Sequence, residues 1–158
     1  ASVRQKTLCG GNFYVYRCSK TLTKNVYRCI IFIYKQYITE EKINMPYIEA
    51  KFSKKLTDVE ITELKSGFGK AIECIPGKSE SWLMVNIEDA KNIFFKGGNS
   101  EDSAYVSIST FGKAPSSAFE KMTGELCGII SDKTGISPSR IYITYHEISN
   151  WGWNGSNF

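Results

Sequence analysis

Apolar and polar positions keep the same order twice along residues 45–158, at a constant offset of 58. Pro46-Tyr47-Ile48-Glu49-Ala50 aligns with Ala104-Tyr105-Val106-Ser107-Ile108, a short run that predicts a strand in each half. Farther on, Ile61, Leu64, Phe68, Ala71 and Ile72 fall opposite Phe119, Met122, Leu126, Ile129 and Ile130. Both sets recur at i, i+3, i+7, i+10 and i+11, the apolar stripe of an amphipathic helix. Residues 77–81 then precede a run over Trp82–Glu88, as residues 135–139 precede Arg140–His146. Each half reads strand, helix, strand, and the shared offset marks an internal repeat.

Boundary signals agree with this pattern. Thr57-x-x-Glu60 and Ser117-x-x-Glu120 each have the form of a capping box, and Gly77 and Gly135 are placed to stop the helices. Two β-α-β units predict an α+β fold: one mixed four-stranded sheet with both helices on one face. Leu83, Val85 and Ile87 match Ile141, Ile143 and Tyr145, an apolar face suited to the helices. The opposite face carries Trp82, Met84 and Asn86 with Tyr142, Thr144 and His146, too apolar for full solvation and too polar for a dry core. A face of this kind suits cover by another subunit, so an oligomer packed around its sheets is expected.

Charge and cysteine divide the chain at the same place. Residues 1–44 hold eight basic and two acidic residues, a net +6, which leaves −2 for residues 45–158 out of a total of +4. The body therefore gives no electrostatic case for nucleic acid. Cys9, Cys18 and Cys29 lie in front, and Cys74 and Cys127 sit within apolar helical patterns of the body, where a thiol is usually a small buried hydrophobe. His146 is the only histidine and no ligand spacing is present, which argues against a metal site. The best membrane candidate, Cys29–Tyr34, is short and flanked by Arg28 and Lys35, so neither membrane insertion nor a signal peptide is expected.

Met45 is the first methionine in a chain that opens on Ala1. Residues 1–44 do not read as a domain: tyrosines and basic residues are scattered over Phe13–Tyr37 with no helical or strand period. The segment reads as a non-native or untranslated leader ahead of a start at Met45, the alternative being a genuine extension, cleaved before Pro46 or retained. Removal of Met45 would leave an N-terminal proline, a secondary amine able to act as a base near neutral pH, whereas an acylated Pro46 nitrogen has no basicity.

Residues 45–158 resemble the macrophage migration inhibitory factor family of the tautomerase superfamily. The resemblance rests on Met45-Pro46, Gly77-Lys78, Phe95-Lys96-Gly97-Gly98, Phe111-Gly112-Lys113, the run from Ile136 to Ile143, and the ending from Trp151 to Phe158. It implies a homotrimer with three sheets wrapped into a central barrel, active sites between neighbouring subunits, and no cofactor. It implies keto–enol tautomerisation of a small aromatic α-keto acid such as phenylpyruvate, or isomerisation of a dopachrome-like substrate. Pro46 would be the catalytic base. Lys78 would contact the substrate's carboxylate or carbonyl oxygen and steady the enolate; Thr110 and Phe111 would bound the pocket, with the Phe111 amide a donor. Tyr142 would arrive from the adjacent subunit, and Trp153 with Trp151 and Phe158 would form the apolar rim.

Departures are visible too. Thr144 stands where the best-known members have an asparagine, which bears on recognition of a substrate's far end. The segment between Ile148 and Trp151 looks shorter than in vertebrate relatives. Ser103-Ala104-Tyr105-Val106 occupies the stretch of the two-cysteine motif tied to thiol–disulfide activity. Asn154-Gly155-Ser156 fits a glycosylation sequon but belongs to the family's usual ending. The competing reading is a secreted, cytokine-like protein that engages a cell-surface receptor, with the pocket secondary or silent. The family's habit of export without a signal peptide leaves both cytoplasmic and extracellular locations open.

Overall fold

A computed structural model describes the backbone of residues 4–8 and 11–15, and residues 45–157. The chain divides into two units, residues 1–39 and 40–158. In the first, β1 (Arg4–Leu8) and β2 (Gly11–Val15) pair antiparallel. Cys9, Cys18 and Cys29 lie outside the described residues, as does Phe158.

The second unit is the duplicated β-α-β expected from the repeat. Strand β3 (Pro46–Phe52) leads through α1 (Asp58–Ala71) to β4 (Met84–Glu88). Strand β5 (Ala104–Phe111) leads through α2 (Ser116–Thr134) to β6 (Ile141–Ile148). Each crossover makes a parallel pair, and the two units join antiparallel at β3 and β5, giving the order β4-β3-β5-β6. Both helices pack on one face of this mixed sheet. Ile48, Ala50 and Phe52 of β3 and Val106 and Ile108 of β5 meet Leu64 and Phe68 of α1 and Met122, Leu126 and Ile130 of α2 in one core. Among the described residues, that core runs from Ile48 to Ile141. Leu83, Val85, Ile87, Ile143 and Tyr145 pack against it from the same face, as alternation predicts. The other face leaves Met84 and Tyr142 exposed, at 68% and 61%.

Several boundaries differ from the sequence reading. The Thr57 box forms: Thr57 Oγ1 accepts from the Glu60 amide at 3.2 Å, and Glu60 accepts from the Thr57 amide at 2.7 Å. The Ser117 box does not form, because α2 begins at Ser116, two residues earlier than a Ser117 cap requires, with extended Pro115 as its cap and no side-chain capping bond. Gly135 is a left-handed helix stop, whereas Gly77 lies well past α1. That helix tightens into a 3₁₀ turn over Ile72–Cys74 and ends in extended Ile75, the conformation that the following Pro76 imposes. Trp82 belongs to a 3₁₀ turn over Glu80–Trp82, not to the strand, which starts at Met84. Near the end of the chain, β7 (Gly152–Trp153) and β8 (Ser156–Asn157) form a hairpin through Asn154 and Gly155, both at positive φ. Asn-Gly at the two central positions is a strong hairpin signal.

Candidate active site

Pro46 opens β3 and is fully buried, paired across the sheet with Thr110 at the end of β5. Beside it lies a cleft of about 580 Å³, lined by Met45, Pro46, Met84, Ser109, Trp151 and Trp153 among others. Trp153 is held in the wall by its short hairpin and meets Trp82 edge to face, with ring centroids 5.5 Å apart. Trp82 and Met45 are wall residues that sequence reasoning missed. Reading Trp82 into a regular strand hid its place in the wall, which the 3₁₀ turn over Glu80–Trp82 provides. The turn bearing Trp82 is anchored from α1, where Lys65 pairs with Glu80.

Lys78 reaches the same strand end by another route. Its Nζ donates to the Phe111 carbonyl at 2.8 Å, and burial pulls its pKa below the usual lysine value. The Phe111 amide in turn donates to the Met45 carbonyl at 3.4 Å. One residue of β5 thus stands between the lysine ammonium, which its carbonyl accepts, and the Met45 carbonyl, to which its amide donates. Lys78 is 8% exposed and is not on the cleft wall, and Thr110, at 2%, faces inward beneath Pro46.

Pro46, Lys78, Thr110, Phe111, Trp151 and Trp153 therefore gather at one end of the sheet. Tyr142 and Thr144 do not. Glu147 is the β6 residue level with Thr110, and Tyr142 pairs with Tyr105, five residues back along the strand, about 16 Å away. Tyr142 meets Phe95 edge to face at 5.2 Å, and Thr144 Oγ1 is bonded to the Tyr105 hydroxyl at 3.0 Å. Within one chain these two residues share no site with Pro46. A larger cavity, about 720 Å³, lies between the helices and is lined by Glu63, Lys70, Glu73, Lys121 and Lys133 among others. It contains none of the residues gathered at the strand ends.

The family model for macrophage migration inhibitory factor matches residues 45–158. The chain belongs to the macrophage migration inhibitory factor family. Macrophage migration inhibitory factor of Rattus norvegicus is 34% identical over 84 residues, which is 52% of this chain and 72% of the rat protein. Among solved structures, the Leishmania major MIF2 protein superposes with a TM-score of 0.67 at 30% identity, over 73% of this chain and 98% of its own. The macrophage migration inhibitory factor-like protein of Entamoeba histolytica has a TM-score of 0.65 at 24% identity, over 73% of this chain and 100% of its own, a likeness of fold. Nearly the whole of each of these two proteins is thus matched by about three quarters of this chain. Membership of the family, within the tautomerase superfamily, supports an isomerase-type enzyme in general.

Proposed function

We propose that the protein, when its chain begins at Pro46, is a keto–enol tautomerase of small aromatic α-keto acids of the phenylpyruvate type, with dopachrome-like compounds as alternative substrates. The observation that carries this is the burial of Pro46 beside an apolar, tryptophan-walled cleft, at the same sheet end where buried Lys78 bonds the Phe111 carbonyl. A free proline nitrogen in such surroundings is poorly hydrated and near a cation. Both effects lower its pKa and leave it unprotonated at neutral pH. The amine takes the proton from the carbon next to the substrate carbonyl; the electrons move onto the carbonyl oxygen, which takes a proton from water to give the enol, while the protonated amine returns its own proton to water. The Lys78 cation opposes the charge that builds on that oxygen. Indole walls suit an aryl ring and keep water from the amine.

Tyr142 and Thr144, remote from Pro46 in their own chain, serve a neighbouring copy's cleft in a homotrimer. The exposed sheet face with Met84 and Tyr142 favours that assembly. Replacing the base tests the chemistry. In protein beginning at Pro46, Pro46→Gly lowers phenylpyruvate tautomerisation by about a hundredfold or more. Undiminished turnover in that variant removes Pro46 from the mechanism.

A further inference from the structure

We propose that Arg140 and Phe95 are positioning residues for Tyr142, holding its ring in the one orientation in which it leaves the sheet edge. The proposal rests on the reading above, in which Tyr142 contacts substrate.

Tyr142 stands on β6, an edge strand, on the face away from the helices, and is 61% exposed. A ring so placed turns about its side-chain bonds unless something packs against it. The connection between β4 and β5 supplies the packing. At Phe95-Lys96-Gly97-Gly98 the chain reverses in a tight turn, with Phe95 and Gly98 exchanging both backbone bonds at 2.8 and 3.2 Å. Lys96 and Gly97 have φ of 52° and 82°, the two left-handed positions of a two-residue hairpin turn. The turn sets Phe95 edge to face with Tyr142, centroids 5.2 Å apart and planes at 82°. This is the favoured geometry of an aromatic pair.

Phe95 is itself fixed by charge. The Arg140 guanidinium lies 5.1 Å from the centroid of its ring, and the Lys96 ammonium lies 5.4 Å from it. Arg140 is clamped in turn: Nε donates to the Asp102 carbonyl at 2.8 Å, Nη2 donates to the Glu101 carbonyl at 2.9 Å, and Nη1 lies 3.4 Å from the Glu101 carboxylate. Its side chain is only 13% exposed. A planar fork on two carbonyls with a face on an aromatic ring is a task for arginine that lysine cannot reproduce. The sequence places Arg140 two residues before Tyr142, so the clamp and the ring it steadies belong to one strand entry.

The arrangement predicts what each group contributes. Tyr142 meets the substrate; Arg140 and Phe95 act only through Tyr142. Losing either frees the ring and weakens substrate binding without touching the proton transfer.

The test uses protein beginning at Pro46, which retains every described residue of the core. Phe95→Leu and Arg140→Met each raise KM for phenylpyruvate about three- to tenfold, the range an aromatic pair carries, with kcat within about twofold. Arg140→Lys keeps the cation but loses the fork and follows Arg140→Met. Neither change adds to Tyr142→Ala, because all act through one ring. A ring-fluorinated tyrosine at position 142 reads the orientation apart from activity: its fluorine NMR resonance moves toward the solvent-exposed position in both Phe95→Leu and Arg140→Met. A resonance unchanged by Arg140→Met overturns the proposal, as do KM effects that add fully to Tyr142→Ala. Unchanged KM in the Phe95 and Arg140 variants beside a raised KM in Tyr142→Ala overturns it while leaving the site reading intact. A displaced resonance in a protein that turns over no phenylpyruvate upholds the clamp and sinks the enzyme reading instead.

Discussion

Lys78 shows at the scale of one residue how a site is bought with stability. Its ammonium is buried and bonded to the Phe111 carbonyl, and desolvation lowers its pKa, so folding disfavours the charge that the proposed chemistry uses. Lys78→Met removes that cost and also the bond to the Phe111 carbonyl, and the two effects oppose each other. The variant is therefore expected to unfold within a few degrees of the parent in a thermal melt, while kcat/KM for phenylpyruvate falls about a hundredfold. Glu60 has the opposite character. Bonds from Lys54 and from the Thr57 backbone and hydroxyl pull its pKa from 4.5 to about 2. A carboxylate depressed on folding stabilises fully above its unfolded pKa and loses that contribution as pH falls toward its folded one. Glu60→Gln should flatten the fall in melting temperature between about pH 4.5 and 2, leaving the rest of the acid limb in place.

Helix packing carries the next scale. A Cβ built on Gly67 of α1 would lie 2.6 Å from Ile129 Cγ2 of α2, whereas one on Gly69 would meet only the carboxyl end of Glu80. Alanine gains about 1 kcal/mol over glycine inside a helix, and forcing an extra carbon against a packed branch costs about 1–3 kcal/mol. Gly67→Ala is thus expected to destabilise in urea unfolding and to do so no longer when Ile129 is also alanine. Gly69→Ala, where Glu80 can swing aside, is expected to be neutral or stabilising. The repeat made the strands, the helix stripes and the sheet's two faces legible, because burial on one face imposes periodicity on sequence. Local signals were less decisive. Ser117-x-x-Glu120 satisfied the capping pattern yet fell inside the first turn of α2, since the pattern does not specify where the backbone leaves extended geometry. Trp82 alternated correctly with its neighbours, and only the 3₁₀ turn over Glu80–Trp82 put it in the cleft wall against Trp153. The Phe111 amide, expected to face substrate, is bonded to the Met45 carbonyl while residue 45 is attached, a contact between distant segments that no local pattern encodes.

For the molecule as a whole, two features point outward from the single chain. Met84 and Tyr142 leave apolar area on the sheet face opposite the helices, and the Tyr142 end of that face is about 16 Å along the strand from Pro46. A homotrimer answers both, so light scattering on protein beginning at Pro46 should return three times the chain mass; a stable monomer would leave Tyr142 without a cleft to serve. The N-terminal nitrogen is the second feature. Lys78, Phe111 and the tryptophan walls persist whether or not residues precede Pro46, but only a free Pro46 amine is a base. The measurement that tests this most directly is the phenylpyruvate tautomerase rate of protein beginning at Pro46 beside protein with residue 45 retained. The free-amine protein should turn over the substrate and the extended one should fall to background. Equal rates in the two would contradict Pro46 as the base.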